Sequence, residues 1–250
     1  MKPKVVVIGS ANTDFVVQVD ELPTRGQTVL GGVFLAAQGG KGANQAVAAA
    51  RLGAQVTFVA RLGQDSLGRE AAQGYQEEGI HTDYLAWDHS APSGVALIMV
   101  NKQGENMIAV APGANSRLSP EDVQAAEEAI ASADCLLLQL EIPLETVQTA
   151  IKLGRDHHKL VILNPAPAAP LPPDLLAMVD ILTPNESEGR TLASDSTLST
   201  PEQILARLVE KTGIDTIVMT LGSQGCLVWQ KGQATHLPAF PITPVDTTAA

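Results

Sequence analysis

Aromatic side chains are scarce in this sequence: two Trp, two Tyr and four Phe, 3% of 250 residues. With 45% hydrophobic residues, that leaves an aliphatic, alanine-rich interior. Runs of Val, Ile and Leu without aromatics suit strands covered on both faces. Basic residues are few as well, 16 Lys and Arg against 27 Asp and Glu, for a formal charge of −11. They are scattered, which argues against nucleic acid, whose phosphates call for a basic patch, and against an anionic membrane surface. Cysteine is limited to Cys135 and Cys226, far apart, in apolar surroundings and without CxxC spacing. Both are expected to be buried, free thiols in a reducing compartment. No apolar run reaches the length of a membrane span. Val5-Val6-Val7-Ile8 is too short for a signal-peptide core and stops at Gly9-Ser10. A soluble, cytoplasmic protein is expected. Repeats, low-complexity tracts and linkers are also missing, and the length suits one large α/β domain or one domain with an appendage.

What is present turns on one short stretch, Gly39-Gly40-Lys41-Gly42-Ala43-Asn44-Gln45. Three glycines let the backbone approach something small at no conformational cost. Lys41 and Asn44 can then offer a charge and an amide. Residues 43–52 are alanine-rich and predict a helix ended at Gly53. A glycine turn emptying into a helix N-terminus favours polar or anionic ligands. It is not a Walker A loop, because no Gly stands five residues before Gly40 and no Ser or Thr follows Lys41. Taken alone, the stretch serves a packing turn and a ligand loop equally well.

Residues 4–8 predict a buried parallel strand that empties into a ligand-facing loop. Asn12 and Asp14 follow at alternate positions and project from one face of an extended chain. Residues 15–19 and 28–37 read as an antiparallel excursion before the glycine stretch. A second buried strand is expected over 56–60, then a helix over about 67–78 capped by Ser66 and ended by Gly79. Residues 84–87, 94–100 and 106–110 again read as short antiparallel strands, with a hairpin turn at Asn101-Lys102-Gln103-Gly104. From Ser119 the pattern becomes repeated βα. Strands are expected at 135–138, 160–163, 181–183 and 216–220, helices between them, and a final hairpin around Lys231-Gly232. This predicts an α/β fold, a central mostly parallel sheet with helices on both faces. The two β excursions are expected to meet as a small antiparallel lid. Residues 1–14, 39–81 and 112–250 would then form the core, and 15–38 and 82–111 the lid.

Ligands of a parallel sheet bind beyond the carboxyl ends of its strands. There the sequence places Asn12 and Asp14, then Gln139 and Glu141, Asn164, Asn185 with Glu188, and Gly222, Ser223 and Gly225. Each could be a cap or a turn residue. Asn185 and Glu188 have the spacing of a capping box. Asn164 before Pro165 suits a turn, and His157-His158 a solvent-facing loop. Residues 220–223 suit either an ordinary turn or a nest of N–H groups for nucleotide phosphates. Polar groups after five successive strands point to a single site.

Together these residues resemble the ribokinase branch of the PfkB carbohydrate-kinase family along the whole chain. The resemblance rests on Gly9-Ser10-Ala11-Asn12-Thr13-Asp14, residues 39–45, Leu140-Glu141 and Asn164-Pro165-Ala166-Pro167. It continues through Thr183-Pro184-Asn185-Glu186, Thr220-Leu221-Gly222-Ser223 and the terminal run 245–250. It implies a ribokinase-like fold and transfer of the ATP γ-phosphoryl group to the 5-hydroxyl of D-ribose with Mg²⁺. By the same resemblance Asn12, Asp14, Gly40, Lys41, Gly42, Asn44 and Glu141 would hold the sugar. Asn185, Thr220, Gly222, Ser223 and Gly225 would line the nucleotide site, with Glu188 in the Mg²⁺–phosphate region. Asp246 and Thr248 would contribute to a monovalent-cation (K⁺) site. Lid strands would pair across a homodimer. Other sugar kinases of the family, such as deoxyribokinases and fructokinases, and a non-catalytic ribose-binding fragment are the competing readings. In the family a Gly-Asp pair carrying the catalytic base follows the position of Ala250, so the 250 residues as they stand are expected to bind ribose and not to phosphorylate it.

Overall fold

The computed structural model describes residues 2–241. The chain forms two sheets and passes directly from strand to strand between them at two places. Strand β1 (Lys4–Ile8) is followed without a helix by β2 (Asn12–Gln18) and β3 (Val33–Gly39), then helix α1 (Lys41–Arg51), β4 (Gln55–Gly63), helix α2 (Ser66–Glu77) and β5 (Leu85–Asp88). Next come β6 (Gly94–Val100), β7 (Asn106–Ala111), a 3₁₀ turn (Gly113–Arg117), α3 (Pro120–Ala125) and α4 (Glu127–Ser132). The βα half continues with β8 (Cys135–Leu138), α5 (Leu144–Asp156), β9 (Leu160–Leu163), α6 (Pro173–Leu176), β10 (Ile181–Leu182), α7 (Glu186–Ala193) and α8 (Pro201–Thr212). Strands β11 (Thr216–Thr220), β12 (Cys226–Gln230) and β13 (Gln233–Leu237) complete it.

The main sheet has nine strands in the order β13-β12-β11-β10-β9-β8-β1-β4-β5. All neighbours from β11 to β5 are parallel, and β12 and β13 close the other edge as antiparallel strands. Alternation along β1 feeds two cores. Val6 and Ile8 pack with Leu136, Leu138, Val161 and Leu163 against α5 and α8, through Val147, Ile151, Ile204 and Leu208. Val5 and Val7 face the other way, onto Ala43 and Ala46 of α1 and Ala71 and Tyr75 of α2. Small alanines let α1 lie close to the strands, and Phe58 meets Tyr75 edge-on at 5.2 Å.

The smaller sheet has the order β3-β2-β6-β7. Its outer pairs are antiparallel and its inner pair, β2 with β6, is parallel. Asn12 lies at its root, opposite Gly39 on one side and Gly94 on the other. The buried apolar group of this sheet is small, namely Val16, Ala96 and Ile98.

Several local expectations need correction. Residues 84–87 were expected to run antiparallel, but β5 lies parallel to β4 at the edge of the main sheet, where Arg61 reaches Asp88 at 3.3 Å. β-branched content marks a strand without giving its direction. Strand β3 starts at Val33 rather than at residue 28, because Gly31 and Gly32 hold φ of +97° and +118°. The cap of α2 is Asp65, whose carboxylate accepts from Gly68 N at 2.8 Å; Ser66 is the first helical residue. Helix α1 begins two residues before the expected 43, at Lys41. Cys135 and Cys226 are free but half-buried rather than buried.

Candidate active site

Beyond the carboxyl ends of β1, β8, β9, β10 and β11, which are consecutive neighbours in the sheet, the expected polar residues form a row. At a strand spacing of about 4.8 Å the row spans roughly 19 Å.

One end is knotted together by side chains. Glu141 follows β8, and its Oε2 accepts from Ser10 Oγ at 2.5 Å and from Lys41 N at 3.0 Å. Its Oε1 lies 3.9 Å from Lys41 Nζ. Ser10 Oγ also accepts from Gly42 N at 3.3 Å, and Ser10 O from Ala43 N at 2.9 Å. The first N–H groups of α1 are therefore already satisfied from inside the protein, so this helix start is no open phosphate cradle. Close approach explains the glycines. A Cβ on Gly42 would sit 2.6 Å from Ser10 N, and one on Gly40 2.8 Å from Asn12 N; Gly40 moreover holds φ of +90°. A Cβ on Gly39 would collide with the Asp14 carboxylate.

Asn12 and Asp14 point the same way, as their alternation predicts, and are 6% and 8% exposed. Among the described residues nothing donates a hydrogen bond to the Asp14 carboxylate. Burial, and then the negative charge of Glu141, push its pKa above the usual aspartate value. A half-desolvated carboxylate without a protein donor is a strong acceptor for hydroxyl groups. Burial, and then Asp14, also raise the pKa of the enclosed Tyr75 phenol, whose oxygen lacks a partner among the described residues. Asn44 makes no side-chain bond to this cluster; it lines a cavity of about 760 Å³ with Gln38, Arg51, Tyr75 and Glu78.

The other end is tied locally. Asn185 caps α7 in a full capping box with Glu188. Its Oδ1 accepts from Glu188 N at 2.9 Å, while Glu188 accepts from Asn185 N at 2.8 Å and from its Nδ2 at 2.9 Å. Both Glu188 oxygens are thereby engaged, and the residue is buried. Asn185 bridges to Thr220, whose N–H reaches Pro184 O at 2.9 Å. A tight turn follows, closed by Leu221 N to Gly225 O at 2.8 Å, with Gly222 and Gly225 at φ of +57° and +97°. Thr220, Gly222 and Ser223 are exposed. Between the ends, Asn164 donates from Nδ2 to Thr183 O at 3.1 Å, while its buried Oδ1 has no partner among the described residues. Asp246 and Thr248 lie outside the described residues. Among the described residues no three His, Cys, Asp or Glu side chains gather as a metal site.

The sequence matches the profile of the pfkB family carbohydrate kinases over residues 2–250. The chain belongs to that family. It is thus an ATP-dependent sugar kinase in class. It is 41% identical to a ribokinase of Haemophilus influenzae over 251 aligned positions, covering all of this chain and 82% of that one. It is 38% identical to a deoxyribokinase of Salmonella typhi, covering 98% and 81%. Among solved structures it matches Arabidopsis thaliana ribokinase complexed with ribose and ATP, with TM-score 0.84 and 33% identity over 98% of this chain and 80% of that one. A kinase must hold an acceptor and a nucleotide side by side, and the two ends of the row differ in character. One end offers buried acceptors and donors, the other an exposed glycine turn beside a capped helix.

Two residues of the site escaped the sequence reading of roles. Ser10 stood in the loop after β1 and in the run 9–14 that carries the resemblance, with no role of its own. Asn115, in the 3₁₀ turn, accepts from Ala11 N at 2.8 Å and donates to Asn12 Oδ1 at 2.8 Å. The one signal available was Gly113-Ala114-Asn115, a polar residue after a glycine where the chain re-enters the core.

Proposed function

We propose that the sugar is D-ribose and that the enzyme transfers the γ-phosphoryl group of ATP to its 5-hydroxyl. The observation that carries this reading is the pair Asn12 and Asp14, buried on one face with no donor to the carboxylate among the described residues, beside Glu141 and the start of α1. A pentose supplies several hydroxyls in a small volume, and carboxylates and amides bind them in pairs. Asn12, Asp14, Gly40, Lys41, Gly42 and Glu141 hold the sugar, and Asn44 meets it from α1. Asn185, Thr220, Gly222, Ser223 and Gly225 take the nucleotide. Mg²⁺ accompanies ATP; because both Glu188 oxygens hold Asn185, the Glu188 share in that region is to orient Asn185 rather than to ligate the ion. Asp246 and Thr248 would serve a K⁺ site. The smaller sheet acts as a lid that keeps water from the reacting groups.

The exposed apolar residues Phe34, Leu35, Met107, Ile108 and Val110 on β3 and β7 support pairing of lids in a homodimer. Sedimentation velocity checks this, and a monomer at micromolar concentration would refute it. Two free thiols are in keeping with a cytoplasmic setting, and among the described residues no helix is long and apolar enough to cross a membrane.

Equilibrium binding tests the central reading directly, because the acceptor residues are those described. Calorimetric titration should show D-ribose binding and weaker binding of 2-deoxy-D-ribose and D-fructose. No heat with ribose would refute the assignment. The similarity to a deoxyribokinase supports one second reading, and tighter binding of the deoxy sugar would establish it.

A further inference from the structure

We propose that Asn115 is a positioning residue that fixes the amide of Asn12 so that its Nδ2 group, a hydrogen-bond donor, faces the sugar. The inference rests on the reading of Asn12 as a sugar ligand.

The orientation is dictated step by step. Asn115 is 2% exposed. Its Oδ1 accepts from Ala11 N at 2.8 Å, and its Nδ2 donates to Ala11 O at 3.0 Å. A backbone N–H can only donate and a backbone carbonyl can only accept, so this two-point contact leaves the Asn115 amide one orientation. The second hydrogen of Asn115 Nδ2 then meets Asn12 at 2.8 Å, and the atom there must be the acceptor Oδ1. Asn12 is left with Nδ2 turned away from Asn115, and among the described residues that group donates to nothing. Asp14, on the same face, can only accept when ionised. The pocket thus presents one donor next to one acceptor, and a sugar hydroxyl lying between them can accept from Asn12 and donate to Asp14.

Gly94 gives independent support. It stands opposite Asn12 in the β2–β6 register, and a Cβ there would collide with both Asn115 Nδ2 and Asn12 Oδ1. The strand thins at the point where these two amides meet. Asn115 sits in the 3₁₀ turn that joins β7 to α3, and Arg117 at the end of that turn is anchored to Asp88 at 2.9 Å. The device therefore links the base of the lid to the main-sheet edge.

The test compares Asn115→Asp with the unsubstituted chain in calorimetric titrations of D-ribose, 2-deoxy-D-ribose and 3-deoxy-D-ribose. A carboxylate at 115 cannot donate to Asn12 Oδ1, so the Asn12 amide turns over and presents an acceptor beside Asp14. Ribose affinity should fall about 10- to 100-fold, the range for a lost donor at a buried site. For whichever deoxy sugar loses nothing on Asn12→Ala, Asn115→Asp should also cost less than about threefold. An equal penalty for all three sugars would mean a purely structural role and overturn the inference. So would unchanged affinity for ribose. If the unsubstituted chain binds no ribose at all, the reading of Asn12 as a sugar ligand falls, and the inference with it. Should Asn115→Asp fail to fold, the unsubstituted ¹⁵N-labelled protein decides. The Asn12 side-chain amide resonances should shift on adding ribose while those of Asn115 stay in place and exchange slowly. Slow exchange and no ribose response at Asn12 would overturn the inference.

Discussion

At β1 and β8 the site is held by hydrogen bonds between residues far apart in sequence, whereas at β10 and β11 it is held by residues a few positions apart. Ser10 and Glu141 are separated by 131 positions, Lys41 and Glu141 by 100, and Asn115 and Ala11 by 104. Asn185 and Glu188 are separated by 3. The first end is buried at Ser10, Asn12 and Asp14, half-buried at Lys41 and Glu141, and made of charged and amide side chains; the second is largely exposed and shaped by glycine backbone. On the reading proposed above, the contrast follows from what each end would bind. A small sugar is recognised by many directed groups around it, which only the assembled fold can supply. Nucleotide phosphates can be met by backbone N–H groups that a local turn presents by itself. Substitutions at the first end should therefore act mainly on sugar affinity and be coupled to one another. Those at the second should be modest and independent.

The largest effect is expected at Asp14. Asp14→Asn keeps the shape and removes the charged acceptor, so ribose affinity should fall on the order of 100-fold or more. Stability should move in the opposite direction. The folded state raises the Asp14 pKa through burial and Glu141, so it binds the proton more tightly than the unfolded chain, whose value is about 4. Stability contributed by this group is present below that value and is lost as pH rises through the folded pKa. Asp14→Asn should accordingly raise Tm at neutral pH, with the gain fading as pH falls toward 4. An unchanged ribose affinity would remove Asp14 from the site, and an unchanged Tm would deny its desolvation.

Ser10→Ala comes next. Without the hydroxyl, Glu141 Oε2 keeps only the Lys41 N–H, and Gly42 N loses its acceptor. Ribose affinity should fall about 10-fold, the worth of one charge-assisted hydrogen bond, while ADP affinity stays the same. If ADP binding weakened equally, the two ends would not be separable, and the contrast drawn above would fail.

The same contrast explains what could be read from the sequence. The Val and Ile runs, the alternation of Asn12 and Asp14, and the capping box at Asn185 and Glu188 are local patterns, so they were legible. The row at the carboxyl ends followed from topology, because repeated βα units place those loops on one edge. The bond from Ser10 to Glu141 and the Asn115 clamp were not legible, since no spacing rule joins residues a hundred positions apart. The direction of β5 was missed for a related reason. Parallel pairing with β4 is a tertiary choice, fixed at its end by the carboxylate of Asp88 with Arg61 and Arg117. Asp65 displaced Ser66 as the cap of α2 because its carboxylate also accepts from Ser93 N and Oγ, at 2.8 and 2.7 Å, at the start of β6.

At the local end, Glu188 offers the finer discrimination. Glu188→Ala breaks the capping box and should cost about 1 kcal/mol in chemical denaturation. Glu188→Gln keeps an acceptor for Asn185 N but sets an NH2 against Asn185 Nδ2, so it retains only part of the cap and should cost less than Glu188→Ala, about 0.5 kcal/mol. An equal fall of MgADP affinity in Glu188→Gln and Glu188→Ala, despite the smaller stability loss of the former, would show that the charge itself acts on the nucleotide, beyond holding Asn185.

The smallest effect is expected at Ser223. It is exposed, and the turn around it is closed by Leu221, Gly222, Gln224 and Gly225 through backbone hydrogen bonds. Ser223→Ala keeps every one of those groups. Stability should stay within about 0.5 kcal/mol, and nucleotide affinity should fall less than about threefold, since the N–H groups of Gly222 and Ser223, which those bonds leave uncommitted among the described residues, are unchanged. Isothermal titration with ADP measures this. A loss of tenfold or more would mean that a side chain, not the glycine backbone, recognises the phosphates. The local end would then work by directed side-chain groups as the sugar end does, and the division between the two would have to be redrawn.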